Sequence, residues 1–112
     1  MNGKRLPYAR NSELKWQETG PGVRRKVLCY DDRMMMVRVA FEAGAKGVDH
    51  SHPHLQCSYV ESGVFEITIA GRTERLTAGD SFLASPNATH NATAIEAGTL
   101  IDVFAPMRED FV

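Results

Sequence analysis

Short stretches of alternating apolar and polar residues, separated by closely spaced turn residues, constrain the fold of this chain more than any other feature. In the stretch MMMVRVAFE, the apolar residues Met35, Val37, Val39 and Phe41 recur at every second position. A period of two places these side chains on one face of a β-strand. No window of about 11 residues shows the apolar period of a helix together with caps. The pattern therefore predicts an all-β fold.

Turn residues interrupt the chain at short and regular intervals. They occur at residues 19–22, 31–33, 42–47, 62–63, 70–71, 78–80, 85–87 and 96–98. Between two of these turns, Phe65, Ile67 and Ile69 alternate with polar residues, which predicts a hairpin over residues 58–77. Many short strands with glycine-containing turns favour a β-barrel or a β-sandwich.

Length and charge limit the class of protein. The chain has 112 residues and a formal net charge of −1, so a single domain over residues 1–112 is expected. The chain lacks a basic tract, so binding to nucleic acid is not predicted. Its apolar runs are far shorter than the roughly 20 residues that span a bilayer. The N-terminus does not resemble a secretory signal. Cys29 and Cys57 are predicted to be reduced core thiols on strands, which favours a cytoplasmic location.

The two ends of the chain are expected to lie outside the barrel. Residues 1–12 resemble a loose arm, and the tail after Pro106 is expected to fold back over the surface. The segment LKWQE, residues 14–18, could add a strand to a second copy of the chain, because unpaired sheet edges bind other strands. A homodimer is therefore predicted.

Three of the four histidines lie within the stretch HSHPHLQ, residues 50–56. On a strand, His50 and His52 would point to the same face, and Gln56 has the same parity. His90 lies beyond the predicted hairpin and begins another segment. Three imidazoles and an amide oxygen from two strands that meet inside a barrel would form a site for one divalent metal ion. The alternative is a surface loop with solvated histidines, and the His-x-His pair alone does not decide between them.

The wider spacing of these residues resembles the first motif of the cupin superfamily. That motif reads G-x5-H-x-H-x3-E-x6-G, and this chain has Gly44, His50, His52, Gln56 and Gly63 at the matching positions. Glutamine therefore stands where many cupins carry glutamate. The motif covers residues 44–63, and the resemblance implies a small jelly-roll β-barrel.

The second cupin motif, G-x5-P-x-G-x2-H-x3-N, resembles residues 79–94. Gly79 and His90 match, whereas Ser85, Asn87 and Ala94 replace the proline, the glycine and the asparagine. These departures affect the turn more than the metal ligands, since asparagine can also adopt the positive φ that glycine supplies.

Among the cupins, the chain is similar to the small pectin-degradation cupins of the KdgF group. The segments RKVLCYDDRMMMVRVAFE, HSHPHLQCSYVESGVFEITIAG and IDVFAPMREDFV carry this resemblance. It implies an enzyme that opens 4,5-unsaturated uronate monosaccharides to linear keto acids. It also implies one divalent metal ion per chain, with glutamine among its ligands, and leaves nickel, zinc, manganese, iron and cobalt as candidates. His54 lies between the ligands and is not predicted to be one.

Three residues near the C-terminus complete the predicted site. Asp102 is predicted to be the catalytic acid that moves protons, because it lies on an apolar strand, where a carboxylate is costly unless it is satisfied or used. Arg108 could grip a substrate carboxylate through two parallel hydrogen bonds. Phe104 could form an apolar wall against the sugar. The alternatives are a hydrogen-bonded structural acid, a surface ion pair with Glu109 or Asp110, and ordinary core packing.

Two other functions remain open. The chain could be another metal-dependent cupin enzyme, such as a different sugar isomerase or a dioxygenase. It could also be a cupin that binds a sugar or a metal without catalysis. The presence of Asp102 and Arg108 beside a full ligand set argues against the cupin without catalysis.

Overall fold

The computed structural model describes residues 4–47 and 49–112, so the first three residues and Val48 lie outside the described part of the chain. The strands are β1 (Gln17–Gly20), β2 (Val23–Tyr30), β3 (Met35–Phe41), β4 (Leu55–Ile69), β5 (Arg72–Thr77), β6 (Ser81–Ala84) and β7 (His90–Ala105). Two short 3-10 turns, Asn11–Glu13 and Glu109–Phe111, are the helical segments of the described residues. The predicted all-β class is confirmed.

The strands pair in the order β1-β2-β3-β7-β4-β5, and β6 pairs with β4. Every pairing is antiparallel, and the two long strands β4 and β7 pair from Leu55 opposite Ala105 to Ile69 opposite His90. These two strands pair with different neighbours along their lengths, which wraps the sheet around an interior. This arrangement agrees with the predicted jelly-roll β-barrel.

The predicted turns at residues 62–63 and 96–98 are wrong, because both lie inside long strands. The register between β4 and β7 shifts between Val60 and Phe65, where Gly63 adopts a φ of 88°. A Cβ atom at Gly63 would lie 2.7 Å from the Cα atom of Gly98 on β7. Only glycine fits this contact and this backbone conformation. The glycines thus form a bulge where the strands bend, which the sequence pattern does not distinguish from a turn.

The predicted alternation of side chains agrees with the burial in β3 and β7. Met35, Val37 and Phe41 are buried on β3, while the residues between them are partly exposed. On β7, Asp102 is buried between Leu100 and Phe104 on the same face. The interior contains two apolar clusters, one around Phe41, Val60, Phe65 and Leu100, and one formed by Met35, Val37, Phe104 and Met107. The second cluster supports the end of β7 that carries Asp102.

The N-terminal segment is attached to the sheet from Leu6 onward, which differs from the expected loose arm. Leu6 exchanges two backbone hydrogen bonds with Tyr30, of 2.8 and 3.0 Å. The Nζ atom of Lys26 also donates to the carbonyl oxygen of Asn11 at 3.1 Å. Strand β1, which shares Gln17 and Glu18 with the segment predicted to pair with a second chain, pairs with β2 of its own chain.

The cysteines and the C-terminal tail bear on two further expectations. Both cysteines are free and lie on strands, but Cys57 is exposed because its parity is opposite to that of the buried Gln56 and Ser58. The expectation of two core thiols is therefore wrong for Cys57.

The C-terminal tail folds back, and the ring of Phe111 meets that of Phe104 at 5.7 Å between centroids. In the described part of the chain, no helix is long and apolar enough to cross a membrane.

Candidate metal centre

The cluster of histidines forms where the segment before β4 meets the start of β7. His50 and His90 exchange two backbone hydrogen bonds, of 3.1 and 2.9 Å, which hold the two chain segments side by side. The potential ligand atoms of His50, His52 and His90 all lie within 4.8 Å of one another. His52 and His90 are buried, and His50 faces the opening. The separate histidines of the sequence thus converge as the spacing predicts.

Backbone carbonyl groups orient the two buried imidazole rings. The Nδ1 atom of His52 lies 3.0 Å from the carbonyl oxygen of His54, and that of His90 lies 2.9 Å from the carbonyl oxygen of Ala88. A carbonyl only accepts hydrogen bonds, so both Nδ1 atoms carry the hydrogen. Each Nε2 atom is then left with its lone pair pointing into the cluster.

The amide oxygen of Gln56 completes the convergence of acceptor atoms. Its Oε1 atom lies 3.0 Å from the Nε2 atom of His52 and 3.0 Å from that of His90. Because each ring carries its hydrogen on Nδ1, neither Nε2 atom can donate to Oε1. The lone pairs of the two Nε2 atoms and of Oε1 therefore face one another without a hydrogen between them. A divalent cation at the centre would satisfy all of these atoms. The cluster therefore fits a single divalent metal site.

Burial also favours the protonation state that metal binding needs. The pKa values of His52 and His90 are lowered, chiefly because burial disfavours the charged imidazolium. The positive charge of Arg108 lowers both pKa values further. Neutral imidazoles with free lone pairs are the form that binds a metal ion.

The turn before His90 confirms the conformation expected at Asn87. Asn87 has a φ of 66°, so it supplies the left-handed backbone for which the cupin motif uses glycine. Its backbone N–H donates to the carbonyl oxygen of His52 at 2.7 Å. The turn therefore ties the two buried histidine segments together.

Asp102 projects into the same interior from the other half of β7. It is 8% exposed, and burial raises its pKa to about 6. The hydroxyl of Ser58 donates a hydrogen bond of 2.7 Å to its Oδ1 atom, which opposes the effect of burial. Strand β7 carries both His90 and Asp102, because the predicted turn at residues 96–98 lies inside it. An acid with this pKa can both hold and release a proton near neutral pH.

Arg108 and Phe104 lie beside one another at the C-terminal end of the site. The guanidinium carbon of Arg108 lies 5.1 Å from the centroid of the Phe104 ring and 4.3 Å from that of Phe111. The ring of Phe104 meets that of His52 at 5.6 Å. Arg108 also pairs with Asp110, as the alternative interpretation expected, and its side chain is only 15% exposed.

One cavity of about 380 Å³ connects these groups. All of the predicted site residues line it, namely His50, His52, Gln56, His90, Asp102, Phe104 and Arg108. The side chain of His54 is not part of this lining, which agrees with its exclusion as a ligand. The structure thus assembles metal-binding, acidic, aromatic and cationic groups around one space.

Sequence reasoning missed three residues of this region. Arg25 and Lys46 line the cavity and add positive charge to that of Arg108, whereas Asp102 is the acid in the lining. No local pattern marks these two cations, because β2 and the loop before His50 reach the cavity only through the fold. Ser58, by contrast, could have been found, since it shares the parity of Gln56 on β4.

Comparisons with known proteins agree with the fold. A family model described as a cupin domain matches residues 37–104. The pectin degradation protein KdgF of Dickeya dadantii (strain 3937) is 41% identical over 107 residues, which cover 94% of this chain and 97% of that protein.

Two solved structures are similar over nearly the whole chain. An RmlC-like cupin from Shewanella frigidimarina matches with a TM-score of 0.93 and 38% identity, over 100% of both chains. KdgF from a Halomonas species matches with a TM-score of 0.88 and 38% identity, over 94% of this chain and 97% of that one. The chain therefore belongs to the cupin family, and within it to the group that includes KdgF.

Proposed function

We propose that this protein is a metal-dependent isomerase that opens the ring of 4,5-unsaturated uronate monosaccharides, such as unsaturated galacturonate, to linear 5-keto acids. The observation that carries the proposal is the position of Asp102, a buried acid with a pKa of about 6, on the same cavity as the histidine cluster and Arg108. The similarity to a protein of pectin degradation supports the choice of substrate.

The substrate is a cyclic hemiacetal with a double bond between C4 and C5 and a carboxylate on C5. Ring opening removes the proton of the C1 hydroxyl and breaks the bond between C1 and the ring oxygen. An aldehyde forms at C1, and the enol at C5 becomes a ketone when C4 gains a proton. The reaction is an isomerisation, so it needs no oxidant and consumes no water. The protein must bind the carboxylate, polarise the oxygens and move a proton.

The positive charge of the cavity suits an anionic sugar. Arg25, Lys46 and Arg108 line it from three separate segments of the chain. We assign the substrate carboxylate to Arg108, because its planar guanidinium is held in place at the edge of the cavity. Phe104, which packs under Arg108, offers an apolar surface for the face of the sugar ring.

The proposed metal ligands are His50, His52, Gln56 and His90. A bound divalent ion would supply Lewis-acid polarisation of the substrate oxygens. Three imidazoles and one amide carry no charge, so this ligand set leaves the site positive, whereas glutamate at position 56 would offset part of that charge. An uncharged ligand set therefore agrees with an anionic substrate.

Asp102 is proposed to move the proton. Its Oδ1 atom accepts the hydrogen bond from Ser58, and the amide of Gln56 also interacts with the carboxylate. We assign to Oδ2 the removal of the proton of the C1 hydroxyl and the return of a proton to C4. A pKa of about 6 keeps both the charged and the neutral form within reach at neutral pH. The burial that raises this pKa would be a net cost in a protein that used Asp102 only for structure.

The direct test follows the double bond of the substrate. Protein loaded separately with nickel, zinc, manganese, cobalt or iron is incubated with unsaturated galacturonate, and the loss of ultraviolet absorbance of the enol ether is recorded. Nuclear magnetic resonance identifies the linear 5-keto acid. Chelator-treated protein serves as the control for metal dependence, and saturated galacturonate serves as the control for the substrate.

The outcome separates the proposed function from its alternatives. Turnover that requires both the metal ion and Asp102 supports the isomerase. Absence of turnover with all five metals would overturn it in favour of another cupin enzyme. Binding of the sugar without turnover would instead indicate a cupin that acts only in binding.

A further inference from the structure

Ser58 connects the histidine cluster to Asp102. It is 2% exposed and lies on β4 directly opposite Asp102 on β7. The Nε2 atom of Gln56 donates to its hydroxyl oxygen at 3.0 Å, and that hydroxyl donates to the Oδ1 atom of Asp102 at 2.7 Å. A continuous chain of buried hydrogen bonds thus runs from the amide of Gln56 to the acid.

With Asp102 ionised, the positions of the polar atoms allow only one direction for this series of hydrogen bonds. The Oε1 atom of Gln56 faces the lone pairs of His52 and His90, so its amide nitrogen must be the atom that faces Ser58. A hydroxyl has one hydrogen to donate. Since the hydroxyl of Ser58 accepts from the amide, its hydrogen is available for the carboxylate of Asp102.

We propose that Ser58 is a positioning residue with two partners. It fixes the amide of Gln56 with its oxygen towards the metal centre, and it also orients the carboxylate of Asp102. The proposal rests on the proposed function for its effect on turnover, but not for its effect on metal binding. It also accounts for glutamine at a position where the cupin motif has glutamate. An ionised glutamate at position 56 would place an acceptor on either side of Ser58, and the single hydroxyl hydrogen could satisfy only one of them.

The first experiment compares Ser58→Ala with Ser58→Thr. Ser58→Ala removes the link, so we expect metal affinity, measured by competition with a chelator, and kcat to fall by about 10–100-fold, with KM changed by less than about threefold. Ser58→Thr keeps the hydroxyl and should recover most of both quantities. Ser62→Ala is the matched control, because Ser62 lies on the same strand and its hydroxyl contacts Thr99 in an exposed position.

The second experiment is a double-mutant cycle with Gln56→Glu. Gln56→Glu already removes the donor that faces Ser58, so adding Ser58→Ala to it should lower metal affinity by less than about twofold, whereas kcat still falls because the hydrogen bond to Asp102 is lost. Penalties on metal affinity that multiply would show that the two residues act on the metal centre independently and would overturn the proposal. Wild-type metal affinity in Ser58→Ala together with wild-type kcat would overturn it as well.

Failure of this inference can be distinguished from failure of the proposed function. If the wild-type protein does not turn over the uronate, the isomerase proposal fails, while the metal affinities of Ser58→Ala and Ser58→Thr still test the role of Ser58. If the wild-type protein is active and the Ser58 variants match it in both readouts, only the role of Ser58 fails.

Discussion

The guanidinium of Arg108 donates two hydrogen bonds to the carboxylate of Asp110, of 3.1 Å from Nε and 2.9 Å from Nη2. This contact uses one edge of the guanidinium and leaves Nη1 for another acceptor. The rings of Phe104 and Phe111 pack against the same group. Arg108 is therefore held in a fixed orientation at the cavity, which is the condition for binding a carboxylate through a planar group.

Arg108→Lys should weaken substrate binding more than it slows turnover. Lysine keeps the positive charge but cannot engage Asp110 and a substrate carboxylate with one planar group. Loss of one charge-assisted hydrogen bond predicts an increase in KM of about 10-fold or more, with kcat changed far less. Steady-state kinetics measure both quantities. Arg75→Lys in the exposed pair with Glu66 is the matched control and should leave KM unchanged. An unchanged KM in Arg108→Lys would contradict the assigned role.

Asp102→Asn should lose turnover while it keeps the metal ion. The amide can still accept the hydrogen bond from Ser58, so the local shape is preserved, but it cannot take up or release a proton at neutral pH. General acid–base groups contribute about 10²–10⁴-fold, and kcat should fall by that amount. Elemental analysis should show unchanged metal content. Turnover at the wild-type rate by metal-loaded Asp102→Asn would exclude a catalytic role for this acid.

In metal-free protein, the difference in stability between wild type and Asp102→Asn should depend on pH. The pKa of Asp102 is raised to about 6 in the folded state, so folding favours its neutral form. Burial of the charged form destabilises the wild-type protein above pH 6, and this cost disappears as the pH falls towards the pKa of the unfolded chain. A shift of about two pKa units corresponds to about 3 kcal/mol.

Asp102→Asn should therefore be more stable than wild type at pH 8, and the advantage should shrink to about half at pH 5. Urea unfolding of chelator-treated protein at both pH values measures the difference in the free energy of unfolding. The titration of His52 and His90 is common to both proteins and largely cancels. A difference that does not change with pH would show that Asp102 is not buried as a titrating acid.

The face of the site residues on strands could be predicted from the sequence, because strand geometry fixes it. His50 and His52, expected on a strand, instead precede β4, which begins at Leu55. Asp102 and Phe104 share a parity, and both are buried in β7. The convergence of His50, His52 and His90 also followed from spacing, through the cupin motif. The left-handed backbone of Asn87 followed from the ability of asparagine to replace glycine.

Other features required the three-dimensional structure. The glycines at positions 63 and 98 resemble turn residues, yet they allow two long strands to approach each other at a bulge. A glycine in the sequence indicates that the backbone can adopt unusual conformations at that position, but it does not indicate whether the chain reverses direction. Likewise, Arg25 and Lys46 reach the cavity through pairings between distant segments, which no local period records.

A homodimer remains a prediction of the sequence, and the fold retains a surface that could form it. Strand β1 lies at one end of the strand order, and its second edge is not paired with another strand among the described residues. Such an edge can bind the same strand of a second copy. Light scattering at micromolar concentration should give about twice the chain mass of 12.4 kDa. The mass of a single chain would contradict the prediction.

The histidines of HSHPHLQ provide a matched pair for testing the metal centre. His50 belongs to the cluster, whereas the side chain of His54, four residues later, lies outside the cavity lining. Wild-type protein stripped with a chelator and reloaded should bind one divalent ion per chain. His50→Ala should lose most of this ion, because removal of one ligand from a small set lowers affinity strongly. His54→Ala should keep it, since the hydrogen bond that orients the ring of His52 goes to the backbone carbonyl of His54, which the substitution preserves, and only the ring contact of 5.5 Å is lost. Elemental analysis after gel filtration measures both variants. Equal loss in the two variants would mean that the histidine segment is merely destabilised, and full metal content in His50→Ala would remove His50 from the ligand set.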